Sequence, residues 1–166
     1  AWSNIVSREL DLPVVNLGFS GNGKLEKEVL DFICEVNAGA YVIDCMANLQ
    51  NRTAEDVKSL AIKAVKKIRE KSDAPILLVE HAGYSNARTN LKWDNAWQTP
   101  NKGLRAAYKE LKNARTENLY YLSNEEIGFH PDSWVDYVHP SDYGMVQQAK
   151  AVERKLKDMG LLNNKE

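Results

Sequence analysis

Asp136 and His139 stand three residues apart in the stretch WVDYVHPSDYGM, with Pro140 directly after the histidine and Ser141 placed to cap a following helix. A histidine that takes a proton from a nucleophile needs a carboxylate on its Nδ1–H, to fix the tautomer and to stabilise the imidazolium that forms. An i, i+3 pair on a turn can bring the two groups within reach. The same spacing also fits an ordinary polar loop, and what narrows it is the proline and helix start immediately downstream.

A second stretch, VVNLGFSGNGKLEKEVLDF at residues 14–32, runs from β-branched residues through three glycines into an amphipathic segment. Read as a phosphate loop, Gly18, Gly23 and Lys24 match GxxxxGK, but Leu25 stands where a hydroxyl should hold magnesium. Asp44, closing the apolar run YVID, could serve such a site, although buried strands often end in Asp. The dinucleotide pattern GxGxxG fails because position 20 is Ser. Ser20 is also a poor nucleophile-elbow serine: GxSxG needs glycines two residues to either side, and here they fall at 18 and 21. Taken alone, the stretch is a tight turn whose glycines permit positive φ.

Trp93 and Trp97 are four apart and, with Tyr84 and Trp134, could wall a sugar ring or acyl group; equally, i, i+4 aromatics pack helices into cores. His81 follows an apolar run and reads as a polar loop residue, and His130 has no local partner. Glu80 and Asp44 end apolar runs and are expected to accept loop N–H groups rather than perform acid–base chemistry. Cys34 and Cys45 lie in apolar contexts without CxxC or metal spacing, and read as small core side chains.

These residues need elements to hold them. Residues 13–17, 41–45, 75–80 and 118–122 read as short strands, alternating with segments of helical periodicity at 1–10, 25–36, 54–71 and 102–114. A last helix begins after Ser141 and closes at Gly160, and Thr53 with Asp56 resembles a capping box. Strands joined by crossover helices must run parallel, with ligand sites at their carboxyl ends, here residues 18–23, 46–53, 81–100 and 123–140. The 81–100 connection is long enough to suggest a lid or binding loop.

The 166 residues suit one domain, and 22 basic against 23 acidic side chains, interspersed, prepare no surface for nucleic acid or an anionic membrane. No apolar run has membrane-spanning length. The compartment stays open.

In order and spacing, residues 1–166 resemble the SGNH (GDSL-like) hydrolases from their second sequence block onward. Asp136-x-x-His139-Pro140 resembles the last block, whose Asp and His complete a Ser-His-Asp triad. The segment VVNLGFSG resembles the second block, which implies that the Gly21 N–H enters an oxyanion hole. The third block, G-x-N-D, is matched in IDCMANLQ by Asn48 alone, with Met46 for the glycine and Leu49 for the aspartate. The resemblance implies a three-layer α/β/α flavodoxin-like fold with a parallel sheet, an esterase acting on a small or carbohydrate ester, and no metal or organic cofactor. The family's nucleophile block, of GDS type, matches nothing in the 166 residues. The expectation is therefore that the first, central strand and its serine lie upstream of Ala1, supplied covalently or as a separate piece. A catalytically inert ligand-binding fragment and a nucleotide-binding protein using Gly18–Lys24 are the competing readings.

Overall fold

A computed structural model describes residues 1–161 of the chain; the expected domain runs to 166, and residues 162–166 lie outside the described residues. Three parallel strands, β1 (Tyr41–Ile43), β2 (Ile76–Val79) and β3 (Leu119–Leu122), form a sheet in that order. Val42 is level with Leu77, and Leu78 with Tyr121. Every residue of β2, Ile-Leu-Leu-Val, is wholly buried. A central parallel strand is covered on both faces, which is why its sequence is a continuous apolar run rather than an alternation.

Six helices accompany the sheet: α1 (Trp2–Leu10), α2 (Lys27–Ile33), α3 (Ala54–Arg69), α4 (Leu91–Asn113), α5 (Asn124–Ile127) and α6 (Asp142–Asp158). Ile76, Leu78, Tyr41, Ile43 and Leu119 point to one side, where Val57, Ala61 and Val65 of α3 and Leu104 and Ala107 of α4 cover them. Leu77, Val79 and Leu122 point to the other, against Val6 of α1 and Ala149, Val152 and Leu156 of α6. The result is the expected three-layer α/β/α arrangement. The α3–α4 contact depends on Gly103, where a Cβ would stand 2.4 Å from the Ala54 carbonyl oxygen and 2.8 Å from the Val57 Cβ.

The capping signals read from the sequence form as expected. Thr53 Oγ1 accepts the Asp56 N–H at 3.1 Å while the Asp56 carboxylate accepts the Thr53 N–H. Ser141 Oγ accepts the Gly144 N–H at 3.2 Å, and Gly160, at φ +77°, follows the end of α6.

Three expectations are corrected. Residues 13–17 form no strand: they pair with no described strand, and Val14 and Val15 are exposed. Their β-branched residues supply propensity but not a neighbour to bond, and the neighbour decides. On the sheet itself, the Tyr41 N–H donates to the Pro75 carbonyl at 2.9 Å, so alternation turns the N–H and C=O of Val42 to the opposite edge, where no described strand lies. Second, the helix expected at 25–36 starts only at Lys27, because Leu25 is left-handed (φ +62°) and Glu26 is extended. Third, α4 begins at Leu91 rather than near 102 and runs through Pro100, so only residues 81–90 are loop. Asn90 caps it by accepting the Lys92 N–H at 3.1 Å. Proline costs the helix one hydrogen bond, but Pro100, Asn101, Gly103 and Leu104 are all buried there, and that packing outweighs the local penalty.

Candidate functional site

The loop carrying Asp136 and His139 is closed at its base by an antiparallel bridge between Trp134 and Pro140, with the Val135 N–H on the His139 carbonyl at 2.9 Å. Inside it, Asp136 Oδ1 accepts the backbone N–H groups of Val138 and His139, each at 2.7 Å, so the carboxylate is locked onto its own turn. Its other oxygen, Oδ2, lies 2.9 Å from His139 Nδ1. The His139 backbone N–H, then its ring N–H, then the Val138 N–H hold the Asp136 carboxyl down at about 2. With a carboxylate that stays ionised on one side, Nδ1 keeps its proton and Nε2 presents a lone pair. The imidazole is 75% exposed, and among the described residues Asp136 is its only side-chain partner.

Gly21 and Asn48 are also brought together. The turn holding Gly21 is wound through three consecutive positive φ values, Phe19 (+46°), Ser20 (+51°) and Gly21 (+92°), and is closed by the Gly23 N–H on the Gly18 carbonyl at 3.2 Å. Asn48 ends a 3₁₀ turn following β1, and its Nδ2 donates to the Gly23 carbonyl at 3.1 Å. A Cβ on Gly21 would stand 3.9 Å from Asn48 Oδ1. A carboxamide nitrogen has two protons: one anchors Asn48 to the turn, and the second is left for another acceptor. Ser20 makes no hydrogen bond to His139.

The same stretch does not fit a nucleotide. Leu25 is buried in the core rather than facing a ligand, and Glu26 places its carboxylate on the Lys24 N–H at 2.8 Å, where a phosphate would need a donor.

The remaining loops at the carboxyl ends of the strands are tied edge to edge. Tyr84 donates to Gln50 Oε1 at 2.8 Å; the Ser85 N–H donates to the Tyr137 carbonyl at 3.2 Å, and its hydroxyl to the Asp136 carbonyl at 3.4 Å. Tyr84 is buried and meets Trp93 edge-on, with ring centroids 5.0 Å apart. Trp97 lies over Gly83, a Cβ at which would be 3.9 Å from the indole. Trp134 does not join this group: its ring packs on Phe129 at 5.1 Å, because the bridge to Pro140 holds it at the base of its own loop. Both cysteines are free and pack against the α3/α4 core.

His81 departs from the sequence reading most. It is 5% exposed, not a surface residue. Its N–H donates to Asn101 Oδ1 at 2.8 Å, and its carbonyl accepts from Asn101 and Asn124 at 2.9 and 3.2 Å. Burial brings the imidazole down to about 4. The sequence signal that could have found it is position, two residues after the fully buried central strand. Glu80, wholly buried, accepts the Asn124 N–H at 2.8 Å as expected of a loop anchor, and also binds Arg105 and the Tyr121 hydroxyl. Asp44 instead accepts side-chain donors, the indole of Trp2 and the amide of Gln148, both at 2.9 Å. His130 caps its own 3₁₀ turn by accepting the Asp132 N–H at 3.4 Å. Among the described residues there is no cluster of metal-binding side chains and no helix long and apolar enough to cross a membrane.

Two solved structures share this fold. The crystal structure of a GDSL-like lipase from Bacteroides ovatus ATCC 8483 superposes with a TM-score of 0.82 at 25% identity, covering 98% of this chain and 48% of its own. The salicylyl-acyltransferase SsfX3 from a tetracycline biosynthetic pathway superposes at 0.77 and 16% identity, covering 98% and 49%, which is a likeness of fold. The chain thus spans about half the length of the solved structures it matches. A search of curated proteins gives no significant match. The sequence profile of the GDSL-like lipase/acylhydrolase family matches residues 1–157, and this chain belongs to that family.

Proposed function

We propose that the chain carries the acid–base and oxyanion-binding parts of a serine ester hydrolase acting on a small or carbohydrate ester. The observation that carries this reading is the Asp136–His139 pair, with one carboxylate oxygen tied to two backbone N–H groups and the other on Nδ1. In the proposed reaction, His139 Nε2 takes the proton of a serine hydroxyl as its oxygen attacks the ester carbonyl. It then gives that proton to the departing alcohol, and water repeats the sequence on the acyl-enzyme. The Gly21 N–H and the second Asn48 N–H stabilise the oxygen that becomes negative.

The serine is assigned to a strand pairing along the free edge of β1, upstream of Ala1 or on a separate piece. Two observations support this: Val42 turns its peptide groups to an edge with no described neighbour, and no described serine hydroxyl bonds His139. The folded species then has an intact mass greater than that of residues 1–166, either as one chain or as the sum of two pieces.

Hydrolysis of p-nitrophenyl acetate tests the reading, comparing the chain extended upstream through its first strand, its His139→Ala version and the 166-residue chain. Turnover confined to the unmutated long form is the expected result. Equal turnover by the 166-residue chain would return Ser20 to the role of nucleophile.

A further inference from the structure

Buried side-chain nitrogens and oxygens normally find a partner, and isolated exceptions mark places that something else satisfies. Among the described residues three such atoms lack one: His81 Nε2, Asn86 Oδ1 and Trp97 Nε1. All three fall within the β2–α4 connection and the first turns of α4, in the stretch that also carries Tyr84 and Trp93.

The protonation of His81 follows from its bonds. Its Nδ1 accepts the Gly83 N–H at 2.8 Å, so in the neutral ring the proton sits on Nε2, making that atom an N–H donor with nothing to donate to. The ring cannot swing away freely: the backbone is held by Asn101 and Asn124, and the ring edge meets Tyr84 at 4.5 Å between centroids. Trp97 offers a second donor that is never an acceptor. Its indole lies over Gly83, the residue whose N–H fixes the His81 tautomer. Gly83 has φ +101°, a conformation that tolerates no side chain without strain. The connection is joined to the Asp136–His139 loop through Ser85, whose N–H bonds the Tyr137 carbonyl and whose hydroxyl bonds the Asp136 carbonyl.

We propose that this connection is a specificity subsite in which the His81 Nε2–H and the Trp97 indole N–H donate to an oxygen of the substrate other than those of the scissile ester. As to the substrate, the inference rests on the ester-hydrolase reading above. The ligand class is an ester whose acyl or alcohol part carries an ether, hydroxyl or carbonyl oxygen near the reacting group, in preference to one of pure hydrocarbon. A site built from donors discriminates this way because a hydrocarbon analogue leaves buried N–H groups unpaired. Both donors are shielded in the present arrangement, so the ligand enters by displacing neighbouring side chains while the Gly83 N–H stays on His81 Nδ1. Asn86 Oδ1 is available to a hydroxyl that donates in return.

Two ligand pairs test this. Methyl methoxyacetate against methyl butyrate exchanges one methylene for oxygen on the acyl side; 2-methoxyethyl acetate against butyl acetate does so on the alcohol side. The long form is titrated with each by ¹⁵N-resolved NMR in the His139→Ala background, which prevents turnover, following the Trp97 indole and Gly83 amide signals. In at least one pair the ether should bind roughly fivefold more tightly and move the indole signal. His81→Asn, whose Oδ1 can still accept the Gly83 N–H, and Trp97→Phe, which keeps an aromatic ring, should each bring that ratio close to one. Thermal melts identify any variant that fails to fold, and the other variant then decides. Because no hydrolysis is read, failure of the esterase reading would appear as absent turnover with the ether preference intact. Equal binding within both pairs, or a preference that survives both substitutions, overturns the proposal.

Discussion

Asp44 leaves the end of β1 between α1 and α6, held by the Trp2 indole and the Gln148 amide, and burial raises its carboxyl to about 6. Asp136 stands on an exposed turn with two backbone N–H groups and an imidazole N–H around it, and its carboxyl is held at about 2. Both directly follow an apolar residue, Ile43 and Val135, and residue type alone would treat them alike. What separates them is the number and kind of donors set against the cost of desolvation. Neutral side-chain donors in a partly closed layer do not repay that cost, whereas backbone donors in open solvent exceed it. The outcome suits each place: Asp44 ties two helices together, and Asp136 stays ionised wherever a histidine base operates.

The sharpest way to break this contrast is to remove the pair that Asp136 completes. His139→Ala in the long form should lower kcat roughly 10⁴-fold, and Asp136→Asn should approach it by releasing the Nδ1 tautomer, both read with p-nitrophenyl acetate. Since Asp136 titrates near 2, its protonation contributes nothing to the pH–rate profile between pH 4 and 8. Next in size, Asn48→Ala should reduce kcat by on the order of 10²–10³ while KM changes little, the mark of a donor used only in the transition state.

The interior carboxylates give smaller effects, on stability alone. Glu80→Leu strands the Arg105 guanidinium and the Tyr121 hydroxyl, whose proton is held in place by burial first and by Glu80 second. Arg105 is half-exposed and can rehydrate, so urea denaturation should show a loss of about 2–3 kcal/mol rather than the larger cost of a fully enclosed charge. Asp44 makes the smallest and most specific prediction. The folded protein holds its proton up to about pH 6 and the unfolded chain releases it near 3.8, so the folded state binds the extra proton between these values. Stability therefore falls as pH rises through that window and levels off above it. Asp44→Asn should flatten the curve there.

Much of this was legible because local chemistry and tertiary structure agree. β2 is apolar throughout because it is central, and the Thr53 and Ser141 caps need only their own next turns. The Asp136–His139 pair was legible for the same reason: its hydrogen bonds span three residues. Where long-range packing decides, the pattern misleads. Residues 91–100 read as part of a loop, yet α4 runs through them and through Pro100, where Asn101, Gly103 and Leu104 are also buried; residues 13–17 read as a strand but have no described neighbour to pair with. His81 looks like a loop histidine because Asn101 and Asn124, which hold it inside, lie 20 and 43 residues away. Trp134 shares its residue type with the aromatic group around Tyr84 but not its location, which is fixed by the bridge to Pro140.

The measurement closest to the central claim is labelling of the long form with a fluorophosphonate, followed by mass spectrometry of the modified peptide. The account predicts one adduct on a serine outside residues 1–166, formed far more slowly when His139 is Ala. An adduct on Ser20, or one whose rate is indifferent to His139, would contradict it.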